Sequence, residues 1–271
     1  MKPISNTAFY CCGVRMQDAE SENPVCRDTY AGHFMDERGL RILSSFASEK
    51  NPNAGNVARH RIIDDYIRKE LAENPELTII LVGAGFDSRA YRLDGGNWIE
   101  LDEPQIISYK NERLPIEHCK NNLQRIAIDF ETESLEAKLQ EFASDQPVIV
   151  VMEGVLIYLS KESIRQTLKT LQRLFPNHEL VCDLMTGNFF KKYSHTLHQK
   201  IGDLGANFKF TTQNPSEIFC NANYRLIERH SIIGKAIECG SIKVPSLIFK
   251  TFMKTLRHGY GIYVFESGFH N

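Results

Sequence analysis

Glycines and acidic residues occur in this sequence at the points where buried strands would end. The apolar run at residues 77–82 leads directly into a turn that contains Gly83 and Gly85. Because glycine has no Cβ atom, its backbone can adopt positive φ and lie directly against a ligand. In an open parallel sheet, the first strand-to-helix turn approaches a bound ligand most closely. We therefore expect Gly83 and Gly85 to line a ligand site, with a tight turn that binds nothing as the alternative.

Acidic residues end the three apolar runs that follow. Glu100 and Asp102 lie in WIELD, Asp129 lies in IAIDF and Glu153 lies in VVMEG. A carboxylate near this spacing from a glycine turn accepts hydrogen bonds from ribose hydroxyls, and Glu100 and Asp102, two residues apart, share one face of a strand. Asp87 occupies the helix start at which a dinucleotide-binding fold holds pyrophosphate, and its charge repels phosphate. The pattern indicates a cationic nucleoside without phosphate, a description that S-adenosylmethionine fits.

Short apolar runs alternate with amphipathic segments from residue 77 onward. Five runs are typical of strands, namely 77–82, 98–101, 124–128, 148–152 and 178–184. Three segments between them are typical of helices, namely 104–120, 132–143 and 160–175, the last with Ser160 as its N-cap. Two final runs, RLIERHSI and GYGIYVFESG, predict an antiparallel edge pair. Strands separated by helices pair in parallel through right-handed crossovers, so we predict an α/β fold with a doubly wound, mostly parallel sheet.

The chain is predicted to form one domain over residues 1–271. About 75 residues before the first strand are helical in pattern, and the periodicity weakens after residue 185. Asn56 is expected to be the N-cap of the helix that precedes the sheet. The predicted parts are a helical N-terminal cap, a cofactor-binding core, a lid over the substrate and a final strand, at 1–55, 56–185, 186–258 and 259–271.

Four segments resemble the leucine carboxyl methyltransferase family, namely VGAGFDSRAYRL, WIELDEP, IAIDF and VVMEGVLIYL. This family includes protein phosphatase methyltransferases and bacterial O-methyltransferases that tailor polyketides. The resemblance extends over roughly residues 55–185 and is weaker on either side. It implies the Rossmann-like fold of class I methyltransferases, with seven strands and a helical lid insertion, and S-adenosyl-L-methionine as the cofactor.

The resemblance also implies roles for the residues of the glycine turn and the strand ends. Gly83 would contact the methionine part of the cofactor, and Asp102 would bind its ribose with Glu100 as a helper. Asp129 and Phe130 would hold the adenine, through a side-chain acceptor and a backbone amide. The family more often has leucine where this chain has Phe130.

Further charged and aromatic residues complete the expected site. Glu153 would contact the cofactor, and a carboxylate buried in so apolar a run needs a partner in any case. Arg59, in VARHR, would pair with the methionine carboxylate through its forked guanidinium, although its position alone would also suit a solvated helix face. Arg15 is a second candidate for this pairing. Tyr158 is the candidate catalytic residue, as a group that positions the substrate, and a core tyrosine is the alternative.

The chemistry of methyl transfer sets what else is needed. An acceptor oxygen must lie about 3 Å from the methyl carbon with water excluded. A carboxylate is ionised at neutral pH and needs no general base, whereas a phenol would need one, and His195, His198 and Asp183 are the candidates. We predict an O-methyltransferase that acts on a carboxylate or hydroxyl of a small molecule, with the C-terminal leucine of a protein as the alternative acceptor.

Other classes of function are disfavoured by particular features. An NAD-dependent oxidoreductase would need glycine in place of Ser88 and no charge at Asp87, and intact strand-end acids argue against a non-catalytic cofactor-binding protein. The net charge of -2 gives no general attraction to nucleic acid. The longest apolar run, VIVVM, is too short to span a membrane, and neither the cysteines nor the histidines have the spacing of a zinc site. We expect a cytoplasmic protein with no metal and no nucleic-acid or membrane partner.

Overall fold

The computed structural model describes residues 6–268, apart from the side chains at positions 246 and 250. The ends of the predicted cap and of the predicted final strand, 1–5 and 269–271, lie outside this range. Seven strands occur within it, namely β1 Thr78–Val82, β2 Asn97–Asp102, β3 Asn122–Ala127, β4 Val148–Met152, β5 His178–Met185, β6 Arg225–Ser231 and β7 Tyr260–Glu266. Each strand lies on one of the seven runs that the sequence predicted.

These strands form a single sheet in the order β3-β2-β1-β4-β5-β7-β6. Strands β1 to β5 are parallel, and β7 is antiparallel to both β5 and β6. Val82 pairs with Leu101, and Leu81 pairs with Val151, so the carboxyl ends of β1, β2 and β4 lie side by side. The predicted doubly wound, mostly parallel sheet with an antiparallel edge is confirmed.

Thirteen α-helices occur in the same part of the chain. They are α1 Asn6–Ala19, α2 Glu37–Ser45, α3 Lys50–Glu73, α4 Arg89–Arg92, α5 Pro104–Arg113, α6 Leu135–Leu139, α7 Lys161–Leu174, α8 Gly187–Tyr193, α9 His195–Asp203, α10 Glu217–Cys220, α11 Ile232–Glu238, α12 Ser246–Phe252 and α13 Lys254–Gly259. Within residues 6–268, none of these helices has both the length and the apolar character needed to cross a bilayer.

Helices cover both faces of the sheet. On one face, Ile79 and Leu81 of β1 belong to a core that includes buried residues of α1, α3, α5 and α11. On the other face, Ile80 and Val82 belong to a second core with residues of α6, α7 and α10. Because successive side chains of a strand point to opposite faces and both faces are covered, the central strands are apolar throughout. This is why short unbroken apolar runs identified them.

Two helix boundaries differ from those predicted. Helix α3 begins at Lys50, so Asn56 is not its N-cap but lies buried within it, where its Nδ2 donates to Cys11 Sγ at 3.1 Å. Pro52 does not prevent this early start, because backbone N–H groups in a first turn have no partner within the helix. Helix α5 ends at Arg113 rather than near residue 120, because the residue before Pro115 disfavours helical backbone angles.

The predicted lid at 186–258 contains both helices outside the sheet and a strand of the sheet. Helices α8, α9 and α11 to α13 lie in it, but so does β6, which is an edge strand of the sheet. Its partner β7 lies between β6 and β5. Part of the region that was expected to cover the substrate is therefore structural.

The N-cap of α7 provides a test of helix stability. Ser160 Oγ accepts a hydrogen bond from Ser163 N at 3.1 Å, as the sequence predicted. We expect Ser160→Ala to lower the free energy of unfolding in urea by about 1 kcal/mol. Lys169→Ala, which removes an exposed side chain from the middle of the same helix, should change it by less than about 0.5 kcal/mol. Equal losses in the two variants would contradict the capping role.

Candidate active site

A cavity of about 1480 Å³ opens where the strands β1, β2, β4 and β5 end. It is lined by most of the residues predicted to form the site, namely Arg15, Arg59, Gly83, Gly85, Asp102, Phe130, Glu153 and Tyr158. These residues come from α1, α3, the end of β2 and the turns after β1, β3 and β4. The fold therefore brings together side chains that are as far apart in sequence as Arg15 and Tyr158.

The glycine turn lies at the wall of this cavity in a conformation that requires glycine. Gly83 has a φ of +73° and Gly85 a φ of +50°. A Cβ atom on Gly83 would lie 2.5 Å from Val155 Cγ2, so any other residue would force the turn after β4 to move. The amide of Gly83 donates to Leu101 O at 2.9 Å. The turn is thus held close to β2 and to the turn after β4, and its backbone faces the cavity.

Asp102 places a buried carboxylate beside the glycine turn. Its Oδ2 accepts a hydrogen bond from Gly85 N at 2.6 Å, and its Oδ1 accepts one from Glu103 N at 2.6 Å. Burial raises the pKa of Asp102 to about 6, although the two amide hydrogen bonds act in the opposite direction. Each carboxylate oxygen has a further lone pair, so Asp102 can accept hydrogen bonds from a ligand in the cavity.

Glu100 does not share this environment, and its predicted role is corrected. It is fully buried, with Oε2 2.7 Å from Lys110 Nζ and 2.9 Å from Arg125 Nε, and it is not among the cavity-lining residues. Two residues along a strand correspond to about 6.6 Å, so Glu100 lies well below the sheet edge at which Asp102 ends β2. Glu100 and Asp102 share one face of β2, as predicted. Glu100 lies two residues further from the end of the strand, and this distance keeps it away from the cavity.

Asp129 and Phe130 follow β3 and differ in their relation to the cavity. Phe130 lines it with 40% of its surface exposed. Asp129 Oδ1 accepts a hydrogen bond from Glu131 N at 3.0 Å, and Asp129 N donates to Glu133 Oε2 at 2.8 Å. Asp129 thus stabilises the turn that presents Phe130. Its direct role toward adenine stays a prediction.

Glu153 is surrounded by cationic groups beneath the cavity wall. Its Oε1 accepts from Arg59 Nε at 3.0 Å, and its Oε2 accepts from Arg89 Nη2 at 2.8 Å. His60 Nδ1 lies 3.2 Å from Oε2. Burial alone would raise the pKa of Glu153, but the adjacent Arg89, His60 and Arg59 hold it well below its usual range. Glu153 is therefore ionised, and the partner that its buried position required is present.

The guanidinium of Arg59 is fixed by a second set of acceptors. Its Nη1 donates to Tyr260 Oη at 3.1 Å and lies 3.5 Å from Asp183 Oδ2. Both oxygens of Asp183 are occupied, since Oδ2 also accepts from Tyr260 Oη at 2.8 Å and Oδ1 accepts from Gly154 N at 2.5 Å. Arg59 thus stands at the cavity wall in one defined orientation, with Asp183 beside it in the same lining.

Arg15 connects the N-terminal helix to the glycine turn. Its Nε donates to Asp28 Oδ2 at 2.8 Å and its Nη2 donates to Phe86 O at 2.7 Å. The guanidiniums of Arg15 and Arg92 lower the pKa of Asp28 to about 2, against the effect of burial. A second cationic side chain is therefore held at the wall, and its pairing with the methionine carboxylate stays a prediction.

Arg89 is the residue at this site that sequence reasoning missed. It is fully buried, and its Nε donates to Asp64 Oδ1 at 2.6 Å. Its Nη1 donates to Asp87, and its Nη2 donates to Glu153 at 2.8 Å. In the sequence Arg89 is the first residue of RAYR, four positions after Gly85, and its neighbours suggest a role in the fold rather than in the site. Two of its three partners, Asp64 and Glu153, lie far away along the chain.

Tyr158 and the histidines bear on the question of a general base. Tyr158 lines the cavity, its ring packs edge-on to Phe208 at 5.5 Å, and burial raises the pKa of its hydroxyl. Within the described part of the chain, no histidine lines the cavity. His198 instead packs between the rings of Phe190 and Phe208. The two predicted histidine bases are therefore not at the cavity wall.

The strand order and the position of the cavity define the fold of class I methyltransferases. A DUF574 family protein from Streptomyces avermitilis superposes with a TM-score of 0.60 at 10% identity, over 88% of this chain and 95% of that one. Magnesium protoporphyrin IX methyltransferase from Synechocystis, with S-adenosylhomocysteine bound, superposes with a TM-score of 0.51 at 14% identity, over 88% and 99% of the two chains. The family model of leucine carboxyl methyltransferases matches residues 9–172. The chain belongs to the leucine carboxyl methyltransferase family.

Relatives of similar sequence include mycobacterial proteins that are named as S-adenosyl-L-methionine-dependent methyltransferases. One from Mycobacterium tuberculosis is 28% identical over 178 residues, which are 59% of this chain and 54% of the relative. One from Mycobacterium bovis is 30% identical over 174 residues, which are 58% and 57% of the two chains. The chain thus spans about half the length of the curated relatives that it matches.

Removal of Arg89 should reveal the cost of uncompensated buried carboxylates. We expect Arg89→Met to lower the free energy of unfolding by about 3–5 kcal/mol, because Asp64, Asp87 and Glu153 lose a shared cation. Arg68→Met is the control, since Arg68 also pairs with Asp64, at 3.7 Å, but its side chain is 47% exposed. Its effect should stay below about 1 kcal/mol. Chemical denaturation measures the free energy of unfolding of both variants. Similar losses in Arg89→Met and Arg68→Met would show that burial of the ion pairs is unimportant.

Proposed function

We propose that this chain binds S-adenosyl-L-methionine and transfers its methyl group to an oxygen atom of a small molecule. The observation that carries the proposal is the juxtaposition of the Gly83 turn, which has no room for a side chain, with the Asp102 carboxylate. Asp87, also at the wall, disfavours phosphate at the helix start. Family membership supports the same cofactor.

The residues at the wall fit the parts of this cofactor. Asp102 would accept hydrogen bonds from the ribose hydroxyls, and Phe130 would lie against the adenine. Gly83 would contact the methionine part, and the permanently charged Arg59 would bind its carboxylate through Nη2, whose only partner among the described residues is Cys11 Sγ at 3.8 Å. When bound, the cofactor supplies an activated methyl group on a sulfonium. The protein has to position the acceptor and exclude water.

A carboxylate is the acceptor that suits this wall best. Its oxygen is ionised at neutral pH and nucleophilic without a base, whereas a phenol would need one. In the described part of the chain no histidine lines the cavity, and of the three candidate bases only Asp183 does, with oxygens that already accept from Gly154 N and Tyr260 Oη. Tyr158, whose pKa is raised by burial, keeps its proton at neutral pH and would donate a hydrogen bond to the acceptor.

Calorimetric titration with three ligands tests the cofactor. We expect S-adenosylmethionine and S-adenosylhomocysteine to bind with micromolar affinity and NAD not to bind. Asp102→Ala should weaken both adenosyl ligands at least tenfold, because the ribose loses a charged acceptor. Asp94→Ala removes an exposed acid that does not line the cavity and should leave affinity unchanged. Folded protein that binds neither adenosyl compound would overturn the proposal.

The raised pKa of Asp102 predicts that cofactor affinity depends on pH. Because the ribose hydroxyls donate to the ionised carboxylate, affinity should be full above the pKa of about 6 and be lost as pH falls below it. The loss approaches about tenfold per pH unit if only the ionised form binds. Titrations with S-adenosylhomocysteine from pH 5 to 8 measure this. Asp102→Asn should bind S-adenosylhomocysteine weakly, with an affinity that does not change with pH. If the affinity of the wild type is also independent of pH, Asp102 does not bind the ribose through its ionised carboxylate.

A further inference from the structure

The cavity contains a second region that the cofactor-binding residues do not account for. We call it the apolar compartment, and its wall is formed by the end of β5 together with α8, α11, α12 and α13. Six of its side chains are Met185, Phe189, Ile233, Ile237, Phe249 and Leu256. They belong to a hydrophobic cluster of their own, separate from the two cores beside the sheet. These apolar side chains line an open part of the cavity and do not close it.

The cavity is large enough to hold more than one ligand. Its volume of about 1480 Å³ exceeds the roughly 300–1,000 Å³ of a site that holds a single small molecule. Protein interiors are close-packed, and space lined by apolar residues favours apolar ligands. A cofactor at the glycine turn therefore leaves the apolar compartment for the acceptor.

Charged residues are distributed unequally along the wall of the cavity. Among the described residues, nine aspartates and glutamates line it, all from residues 49–183, and none comes from α8 or from α11 to α13. The exposed Lys209 supplies the cation on that side. Arg15 and Arg59, the other cations of the lining, are paired with carboxylates, whereas no carboxylate in the described part of the chain lies within ion-pair distance of Lys209 Nζ.

The position of Lys209 connects the two regions of the cavity. Its backbone amide donates to Ile157 O at 2.7 Å, and the next amide donates to the same oxygen at 3.1 Å. Ile157 packs against the apolar cluster and lies in the turn that begins with Glu153. Lys209 thus lies where the cofactor-binding wall meets the apolar compartment.

We propose that the methyl acceptor is a lipophilic carboxylic acid, with its hydrocarbon part in the apolar compartment and its carboxylate drawn to the junction by Lys209. This rests on the proposed methyl transfer. A carboxylate oxygen attacks the sulfonium methyl group, the S–C bond breaks with its electron pair staying on sulfur, and an O–C bond forms. The products are a methyl ester and S-adenosylhomocysteine. The anion and the cation neutralise each other, and no proton is transferred.

Chain-length dependence of binding tests the acceptor class. Protein saturated with S-adenosylhomocysteine would be titrated with straight-chain saturated acids of eight to fourteen carbons. Each added CH₂ group should tighten binding up to about fourfold. With S-adenosylmethionine instead, mass spectrometry should detect the methyl ester of the longer acids.

A pair of variants on α12 separates the cavity wall from the outer surface. Phe249 is buried in the compartment wall, whereas Phe252 is 83% exposed on the same helix. Phe249→Ser should weaken the fourteen-carbon acid at least tenfold while affinity for S-adenosylhomocysteine, which reports a folded site, is unchanged. Phe252→Ser should bind the acid like the wild type. If Phe249→Ser fails to fold, Ile237→Ser in α11 tests the same wall.

A lysine pair tests the head group. Lys209→Gln should weaken the fourteen-carbon acid about tenfold but leave the alcohol of equal length within twofold, because only the acid carries a charge. Lys243→Gln, at an exposed lysine that does not line the cavity, should alter neither.

Two negative results have different meanings. If S-adenosylhomocysteine binds but the acids bind without regard to chain length, or not at all, the lipophilic acceptor is overturned while the proposed cofactor stands. If neither adenosyl compound binds to folded protein, the methyl transfer itself fails, and the acceptor proposal falls with it.

Discussion

The buried guanidinium of Arg89 is the constraint on which the geometry of the site depends. A cation removed from water is stable only when carboxylates surround it, and Arg89 takes them from three separate segments. Asp64 belongs to α3, Asp87 to the turn after β1 and Glu153 to the turn after β4. A shift of any of these segments would remove one of the carboxylates that surround Arg89. The glycine turn and the turn that carries Glu153 are therefore held together before any ligand is present.

The same principle extends the network to the N-terminal helices. Asp28 accepts from Arg15 and from Ser88 Oγ, at 2.8 and 2.5 Å, and lies 3.5 Å from Arg92. Ion pairs therefore connect a segment before the sheet with the helix that follows the glycine turn. The N-terminal region is thus a wall of the cavity with a fixed position, which explains how Arg15 can contribute to a site built mainly at the ends of strands.

The strands and the strand-end acids could be predicted because local sequence encodes them. Strands covered on both faces are apolar throughout, and an acid directly after such a run has to lie at the sheet edge, as Asp102 does. How deep a side chain lies in the fold and which side chains pair with it are not determined by the neighbouring sequence. Glu100 was misplaced because Lys110 and Arg125, which neutralise it, come from an adjacent helix and strand. Arg89 was missed for the same reason, since its three carboxylates are distributed over α3 and two turns. The start of α3 was misjudged because proline is tolerated in a first turn.

The apolar compartment was beyond prediction for a different reason. In short helices such as α11 and α12, apolar residues occur on more than one side, and their sequence does not tell which side faces a cavity. Phe249 is buried at the wall, while Leu247 and Phe252 on the same helix are exposed. The turn from Glu153 to Tyr158 is where the two kinds of wall meet, because Glu153 belongs to the charged network and Ile157 to the apolar cluster. The proposed reaction would take place at this junction, where fixed charges lie on one side and apolar side chains that exclude water lie on the other.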